Sequence, residues 1–265
     1  MTTYRSRATG LDSLLDELFE PTGLEGDLPP DIADAGYPLR PFAGQAPQDD
    51  LVATEPRTDE SPAERLYRRA VEAASRGRVS EAIHRYRELL TVDPGNVGAR
   101  NNLSALLETT GDPAEALEQI TAALKVAPDD VNMLVSRAAI HGRLKSYGEA
   151  EQDLRRALRL APDHPQAHLT LGLILWRKGV PKDAAEALRR AIALEPGNAT
   201  AIYYLGEALN QAGDLPGARA ALESSANLGP DHGRTFRLLG RVLDRLGKPD
   251  EAMAMYRRAK AVGDA

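Results

Sequence analysis

The sequence predicts an all-α fold, an α-solenoid preceded by a mostly disordered leader, and three observations carry that prediction. Prolines stand at Pro94, Pro128, Pro162, Pro196 and Pro230, each 34 residues after the last. With each proline taken as position 32 of its unit, small residues fall into register. Position 8 is Ala70, Ser104, Ala138, Gly172, Gly206 and Gly240, and position 20 is Ala82, Ala116, Ala150, Ala184, Ala218 and Ala252. Glycine marks position 15 at Gly77, Gly111, Gly179, Gly213 and Gly247, with Lys145 the exception. A fixed period of this length marks a stack of like supersecondary units, since no loop-rich domain keeps such a register.

Within one unit both halves are helical. Leu171, Ile174 and Leu175, then Ala184, Leu188, Ala191 and Ile192, recur at the spacing of an amphipathic helix. The intervening glycine permits a tight reversal, and the proline after the second half stops its continuation. Each unit is therefore a helical hairpin whose backbones come closest at positions 8 and 20, where a larger side chain would force them apart. Asn96, Asp130, His164, Asn198 and His232 precede the next first helix, and the Asn and Asp members suit its N-cap. One hairpin cannot bury its apolar face alone; stacked on neighbours it can.

Position 24 completes the pattern with Tyr86, Ile120, Leu154, Leu188, Leu222 and Tyr256. Small residues at 8 and 20, an aromatic or apolar residue at 24, a small one at 27 and proline at 32 resemble the tetratricopeptide repeat (TPR) family. Six repeats follow in this register, at residues 63–96, 97–130, 131–164, 165–198, 199–232 and 233–265, about three quarters of the chain. The family's tryptophan at position 4 is absent throughout, and the third repeat carries Arg137, His141 and Lys145 at positions 7, 11 and 15. The resemblance implies a right-handed superhelix that binds a protein or peptide on a concave face lined by the first helices. Carried onto this chain, that face holds Tyr67, Asn101 and Asn102 in the first repeats and Val135, Leu169, Leu173 and Trp176 in the middle. It continues through Tyr203 and Tyr204 to Arg234, Arg237 and Arg241, which share one helical stripe with Arg245. An apolar and aromatic floor leading to a basic end suits an acidic, amphipathic peptide. Of the Lys/Asn set with which some arrays of the family grip a C-terminal carboxylate, only Asn102 is retained, which argues against a chaperone-tail receptor.

Ahead of the array, residues 1–62 hold 4 Arg against 13 Asp and Glu, a balance of −9, whereas the repeats carry +3 of the chain's total of −6. So small a positive balance gives little counterion-release drive and excludes nucleic acid as the expected partner. Residues 21–62 contain eight prolines and little periodicity, the composition of a disordered linker. Before it, Leu11, Leu14, Leu15, Leu18 and Phe19 fall on one face of an amphipathic helix at about residues 9–20, with Asp12, Asp16, Glu17 and Glu20 on the other. Thr9 caps its start and Pro21 its end. A helix of about twelve residues is marginal alone in water, so this one is expected to fold on docking, as a docking motif or as a tethered competitor for the groove.

The N-terminus lacks the uninterrupted apolar core of a signal peptide, and no run reaches membrane-spanning length. With no cysteine, disulfide and thiolate chemistry are excluded. A cytoplasmic protein is expected, and the excess of arginine over lysine with abundant alanine points to a GC-rich bacterial gene. His164 and His168 stand four apart, but Pro165 intervenes and no third ligand is near in sequence, so no metal is expected; His141 occupies an apolar packing position. No phosphate loop, nucleophile elbow or carboxylate pair is present, so neither catalysis nor a cofactor is expected. Because the chain stops soon after Met253, Met255 and Tyr256, a further copy, a partner or the leader is expected to cover that end, leaving self-association through the last repeat as one outcome.

Overall fold

The computed structural model describes residues 60–228 and 232–263, and among them the chain forms twelve helices and no strand. In order they are α1 (Pro62–Ser75), α2 (Val79–Val92), α3 (Val97–Thr110), α4 (Pro113–Val126), α5 (Val131–Arg143), α6 (Tyr147–Leu160), α7 (Pro165–Arg177), α8 (Pro181–Leu194), α9 (Ala199–Ala212), α10 (Leu215–Leu228), α11 (His232–Arg245) and α12 (Pro249–Gly263). Odd-numbered helices open a repeat and even-numbered ones close it. The expected leader helix and its Leu11, Leu14, Leu15, Leu18 and Phe19 lie outside the described residues.

Local sequence chemistry sets the ends of these helices. Ser61 opens α1 with a capping box: its hydroxyl accepts from the Glu64 amide at 3.2 Å while the Glu64 carboxylate accepts from the Ser61 amide at 2.7 Å. Asn96, Asp130 and Asn198 cap α3, α5 and α9, each accepting an amide from three residues on at 2.9 Å. His164 does the same for α7, its Nδ1 accepting from the Ala167 amide at 3.1 Å, a role its ring was not expected to take. Between helices, Gly77, Gly111, Gly179, Gly213 and Gly247 all sit at φ between 71° and 84°, the left-handed region that closes the first helix. Lys145 adopts the same conformation at φ 60°. Its turn also keeps the hydrogen bonds of the glycine turns: the Ser146 amide donates to the His141 carbonyl at 2.8 Å, as the Asp112 amide does to the Leu107 carbonyl at 2.9 Å.

The close approach at positions 8 and 20 is visible in atomic distances. A Cβ on Gly172 would stand 2.5 Å from Leu188 Cγ and 3.3 Å from the Ala184 carbonyl oxygen, and one on Gly206 would stand 2.6 Å from Leu222 Cγ. In the second repeat Ser104 uses the same proximity, its hydroxyl donating to the Ala116 carbonyl at 2.9 Å. Leu188, Leu222, Leu154 and Ile120 are fully buried, so each hairpin is sealed by position 24 against position 8. Burying a side chain of this size contributes roughly 1.5–3 kcal/mol.

The third repeat replaces apolar contacts with ions. Arg137 makes two hydrogen bonds to the Asp153 carboxylate across the hairpin, at 2.7 and 2.6 Å. Glu151, also buried, pairs with Arg155 one turn on and with Lys178 of the next repeat at 2.8 Å. His141 packs beside this pair with its Nδ1 buried and unpartnered, and desolvation holds its proton affinity below the ordinary histidine value.

Candidate functional site

First helices of successive repeats touch one another from α3 onward, α3 with α5, α5 with α7, α7 with α9 and α9 with α11, whereas successive second helices make no comparable contact. Elements that meet their like on one side of a stack place that side on the inside of the bend. The residues of that inner face differ in character along its length.

At the N-terminal end the polar groups satisfy one another. Asn102 donates its amide to both the Tyr67 and Tyr86 hydroxyls, at 3.3 and 3.1 Å, and the two rings meet edge to face with centroids 6.1 Å apart. Burial pushes the Tyr86 hydroxyl up to about 12. Asn101, the residue before Asn102, is half-buried. Further along, Arg143 donates to the Glu108 carbonyl at 2.8 Å, which ties α5 to the C-terminal end of α3. Arg245 repeats this device on the Asn210 carbonyl at 2.9 Å, tying α11 to α9. Both carbonyls lie in the last turn of a helix, where each accepts only a long 3.3 Å bond from the capping glycine amide, and the arginine adds a second donor.

Of the expected groove residues in the middle, Val135, Leu169, Leu173 and Tyr204 are buried, only 2–6% exposed. Leu169, Leu173 and Tyr204 belong to a core they share with Ile202 and Leu209. Tyr204 also joins a run of aromatics whose other members, Trp176 and Tyr203, are half-buried. The Trp176 ring lies 5.3 Å from Tyr204, edge to face, and Tyr204 lies 5.2 Å from Tyr203 in the same manner. The Arg234 guanidinium sits over Tyr203 at 5.3 Å, a cation–π contact that carries the run into α11. Tyr203 donates its hydroxyl to Glu207 at 2.9 Å, and burial first, then Glu207, raises its pKa. Burial also raises that of Tyr204, against the pull of Arg234 and Arg177.

Two features of this region carry unused donors. The indole N–H of Trp176 is buried and has no hydrogen-bond partner among the described residues. Arg237 and Arg241 project from α11 into solvent, and neither they nor Arg177 form an ion pair within the described residues. Arg177 was not among the residues expected from sequence; its place directly after Trp176 is the signal that would have found it. At the far end, Met253, Met255 and Tyr256 are half-buried, and Tyr256 donates to Asp244 at 2.6 Å. Among the described residues no cluster of three metal-ligating side chains occurs, and no helix is long and apolar enough to cross a membrane.

The two-helix period, the left-handed turn at position 15 and the first-helix inner face together define a helical-hairpin solenoid. Models of the tetratricopeptide repeat match residues 67–130, 106–165, 136–187, 169–232 and 235–264, and the chain belongs to that family. Among solved structures it is similar to PilF of Pseudomonas aeruginosa, with 21% identity and a TM-score of 0.65 over 76% of this chain and 91% of that one. It is similar also to MamA of Desulfovibrio magneticus RS-1, with 23% identity and a TM-score of 0.59 over 63% of this chain and 95% of the other. A third is YrrB, described as a TPR protein with an unusual peptide-binding site, with 20% identity and a TM-score of 0.55 over 67% of this chain and 91% of that one. At these identities the likenesses speak to fold. Among curated protein sequences none matches this chain.

Proposed function

We propose that the chain is a non-catalytic protein-interaction scaffold whose first-helix face takes an acidic, amphipathic segment. One observation carries this reading: the ring-to-ring run Trp176, Tyr204, Tyr203 ends at Arg234, beside the unpaired cations of Arg237 and Arg241. Aromatic rims beside free guanidinium groups favour a ligand that brings apolar side chains on one face and carboxylates on the other. The family and the likeness to YrrB support a peptide as ligand. The leader enters the same reading, as a docking motif for a partner or as a competitor tethered to the array.

The test is a calorimetric titration of the full chain with a synthetic acidic amphipathic helix and with its charge-inverted counterpart. The acidic peptide binds and the basic one does not; Arg237→Glu with Arg241→Glu weakens binding by about tenfold or more, and added salt weakens it further. Unchanged affinity in the charge-reversed variant would remove the basic end from the site.

A second surface supports the alternative of self-assembly or of a place as a non-catalytic subunit in an enzyme or secretion complex. Val92, Val126, Leu160, Leu228 and Val262 all occupy position 30 and are all exposed, one apolar side chain near the end of the second helix in five of the six repeats; the fourth has the half-buried Leu194 there. A mass by light scattering that rises with concentration, and returns to that of the monomer in Val126→Lys with Leu160→Lys, favours this row as a contact between copies.

A further inference from the structure

The chain's departures from its own repeat pattern gather in one internal place. Among the described residues Glu151 and Asp153 are the two buried carboxylates, Lys145 is the one non-glycine residue at positive φ, and His141 carries one of two buried ring nitrogens without a partner. All four belong to the third repeat. Positions 7 and 11, leucine in repeats two, four, five and six, are here Arg137 and His141, and position 23, alanine in repeats four and five, is Asp153. We infer that the third repeat and its junction with the fourth form an acid-sensitive joint, the internal stretch of the array that opens first and opens more readily as two histidines take up protons.

Two sets of contacts give the joint its character. Within the hairpin, Arg137 grips Asp153 at 2.7 and 2.6 Å, at positions that repeats four and five fill with leucine and alanine. A buried ion pair gains little beyond what it costs to take both charges out of water, whereas an apolar side chain contributes its whole burial. Across the junction, Lys178 at the end of α7 reaches Glu151 at 2.8 Å, so repeat three holds repeat four partly through ions. Beyond α7 the character changes: a single apolar core runs from Leu169 to Ala252 through repeats four to six.

The histidines supply the response to acid. His164 caps α7 with Nδ1, which accepts the Ala167 amide at 3.1 Å, and its Nε2 donates to the Asn132 side-chain oxygen of α5 at 3.2 Å. A proton on Nδ1 removes the acceptor that this cap requires, so only the neutral ring both caps repeat four and ties it to repeat three. His168 on its own helix opposes a further proton and Glu195, after α8, favours one. His141 faces Asp153 and Glu149 of α6, which favour its proton, and Arg137 of its own helix, which opposes it; burial outweighs them. On the elements packed around the joint, Lys178 of α7 is paired with Glu151, Glu108 of α3 with Arg143, Glu115 of α4 with Arg87, Asp129 with Arg156 of α6, and Asp163 with Arg190 of α8. Both rings therefore gain a proton more readily once the joint has opened to water, and opening is favoured as pH falls below 6.5. One pH unit below that value, each ring shifts the opening equilibrium by up to about tenfold.

Hydrogen exchange of the full chain, read by mass spectrometry at about pH 7.5 and 5.5 and expressed as protection factors, tests this directly. An array of equal repeats is best protected at its middle and frays from its ends. Here α5 and α6 are expected to be less protected at about pH 7.5 than α3 and α4 before them and α8 and α9 after them. At about pH 5.5 they are expected to lose a further tenfold or more, while α8 and α9 change by less than about twofold. Arg137→Leu with His141→Leu and Asp153→Ala installs the residues of neighbouring repeats and is expected to raise α5 and α6 to their neighbours' level. His164→Asn copies the caps made by Asn96 and Asn198; it is expected to keep the protection seen at about pH 7.5 and to reduce the acid loss by about threefold or more. Protection that declines smoothly from the middle repeats to the ends, or a third repeat that the triple variant leaves weak, overturns the joint. A weak third repeat equally protected at both pH values, or an acid loss that His164→Asn leaves intact, overturns its control by these histidines and with it the inference.

Discussion

Replacing Lys145 by glycine isolates the energy of one left-handed backbone residue. Lys145 holds φ 60° in the turn between α5 and α6, where each of the other five repeats has glycine at φ 71–84°. Its side chain is exposed and forms no ion pair among the described residues, so removing it sacrifices no contact. A non-glycine residue in this region costs about 1–2 kcal/mol. Glycine returns part of that, about 0.4–1 kcal/mol, because the unfolded chain gains freedom. The net expectation for Lys145→Gly is stabilisation by about 0.5–1 kcal/mol. The reciprocal change in the next repeat, Gly179→Ala, is expected to destabilise by a similar amount. A Cβ there meets nothing within 4 Å, so no clash contributes and backbone conformation alone sets the sign. Thermal melting followed by circular dichroism should move by about 1–4 °C in opposite directions for the two variants. Because repeat arrays lose strict two-state behaviour, hydrogen exchange of the turn amides supplies the local reading. A lower melting point for Lys145→Gly, or an unaffected one for Gly179→Ala, would refute the assignment of strain to position 15.

Gly172→Ala should destabilise for the opposite reason, since its Cβ would stand 2.5 Å from Leu188 Cγ; overpacking of about 1–3 kcal/mol outweighs a gain in helix propensity of about 0.5–1 kcal/mol, as a urea midpoint will show. Arg137→Leu alone leaves Asp153 buried and unpaired and should cost about 3 kcal/mol, whereas Arg137→Leu with Asp153→Leu should recover most of it; a double-mutant cycle in urea checks the difference. Acid should weaken the array in two windows. His141 and His164 both have their proton affinity lowered, chiefly by desolvation, and for His141 the nearby Asp153 and Glu149 only partly counteract this. The unfolded chain therefore binds these protons more readily, and stability is full above the ordinary histidine value of 6.5 and falls as pH drops below it. Glu64, whose pKa is lowered by its hydrogen bonds to Ser61, contributes stability present above 4.5 and lost only at lower pH. Urea midpoints between about pH 7.5 and 5.5 should fall, and less steeply in His141→Gln.

The fold was legible because its signals are local and repeat. The turn needs glycine, the hairpin contact needs a small residue, and both requirements recur every 34 residues, so each repeat corroborates the others. Depth was not legible in the same way. Helical periodicity places Leu169, Leu173, Trp176 and Tyr204 on one face, yet it does not separate the buried Leu169 from the half-buried Trp176 four repeats into the stack, because that depends on how far the neighbouring first helix approaches. Arg137 was equally opaque: its partner Asp153 lies sixteen residues away on the returning helix, and the pairing follows only once the hairpin's register is fixed. The same is true of Arg143 and Arg245, whose carbonyl partners lie 35 residues back, one repeat and one residue away.

These long-range bonds bear on where the array can bind. A polar group already satisfied by its own chain gains little from a ligand, because binding must first break what folding has made. By that criterion the amide of Asn102, shared between two phenols, is a poor contact despite its place on the inner face. The indole of Trp176 is a good one, since no internal bond competes for it among the described residues. Position in the repeat therefore nominates a residue for the groove, and its unspent hydrogen-bonding capacity decides whether a ligand gains from meeting it. Among the described residues two buried ring nitrogens keep that capacity, the Trp176 indole in the fourth repeat and the His141 Nδ1 in the third, and only Trp176 stands among the aromatics of the inner face.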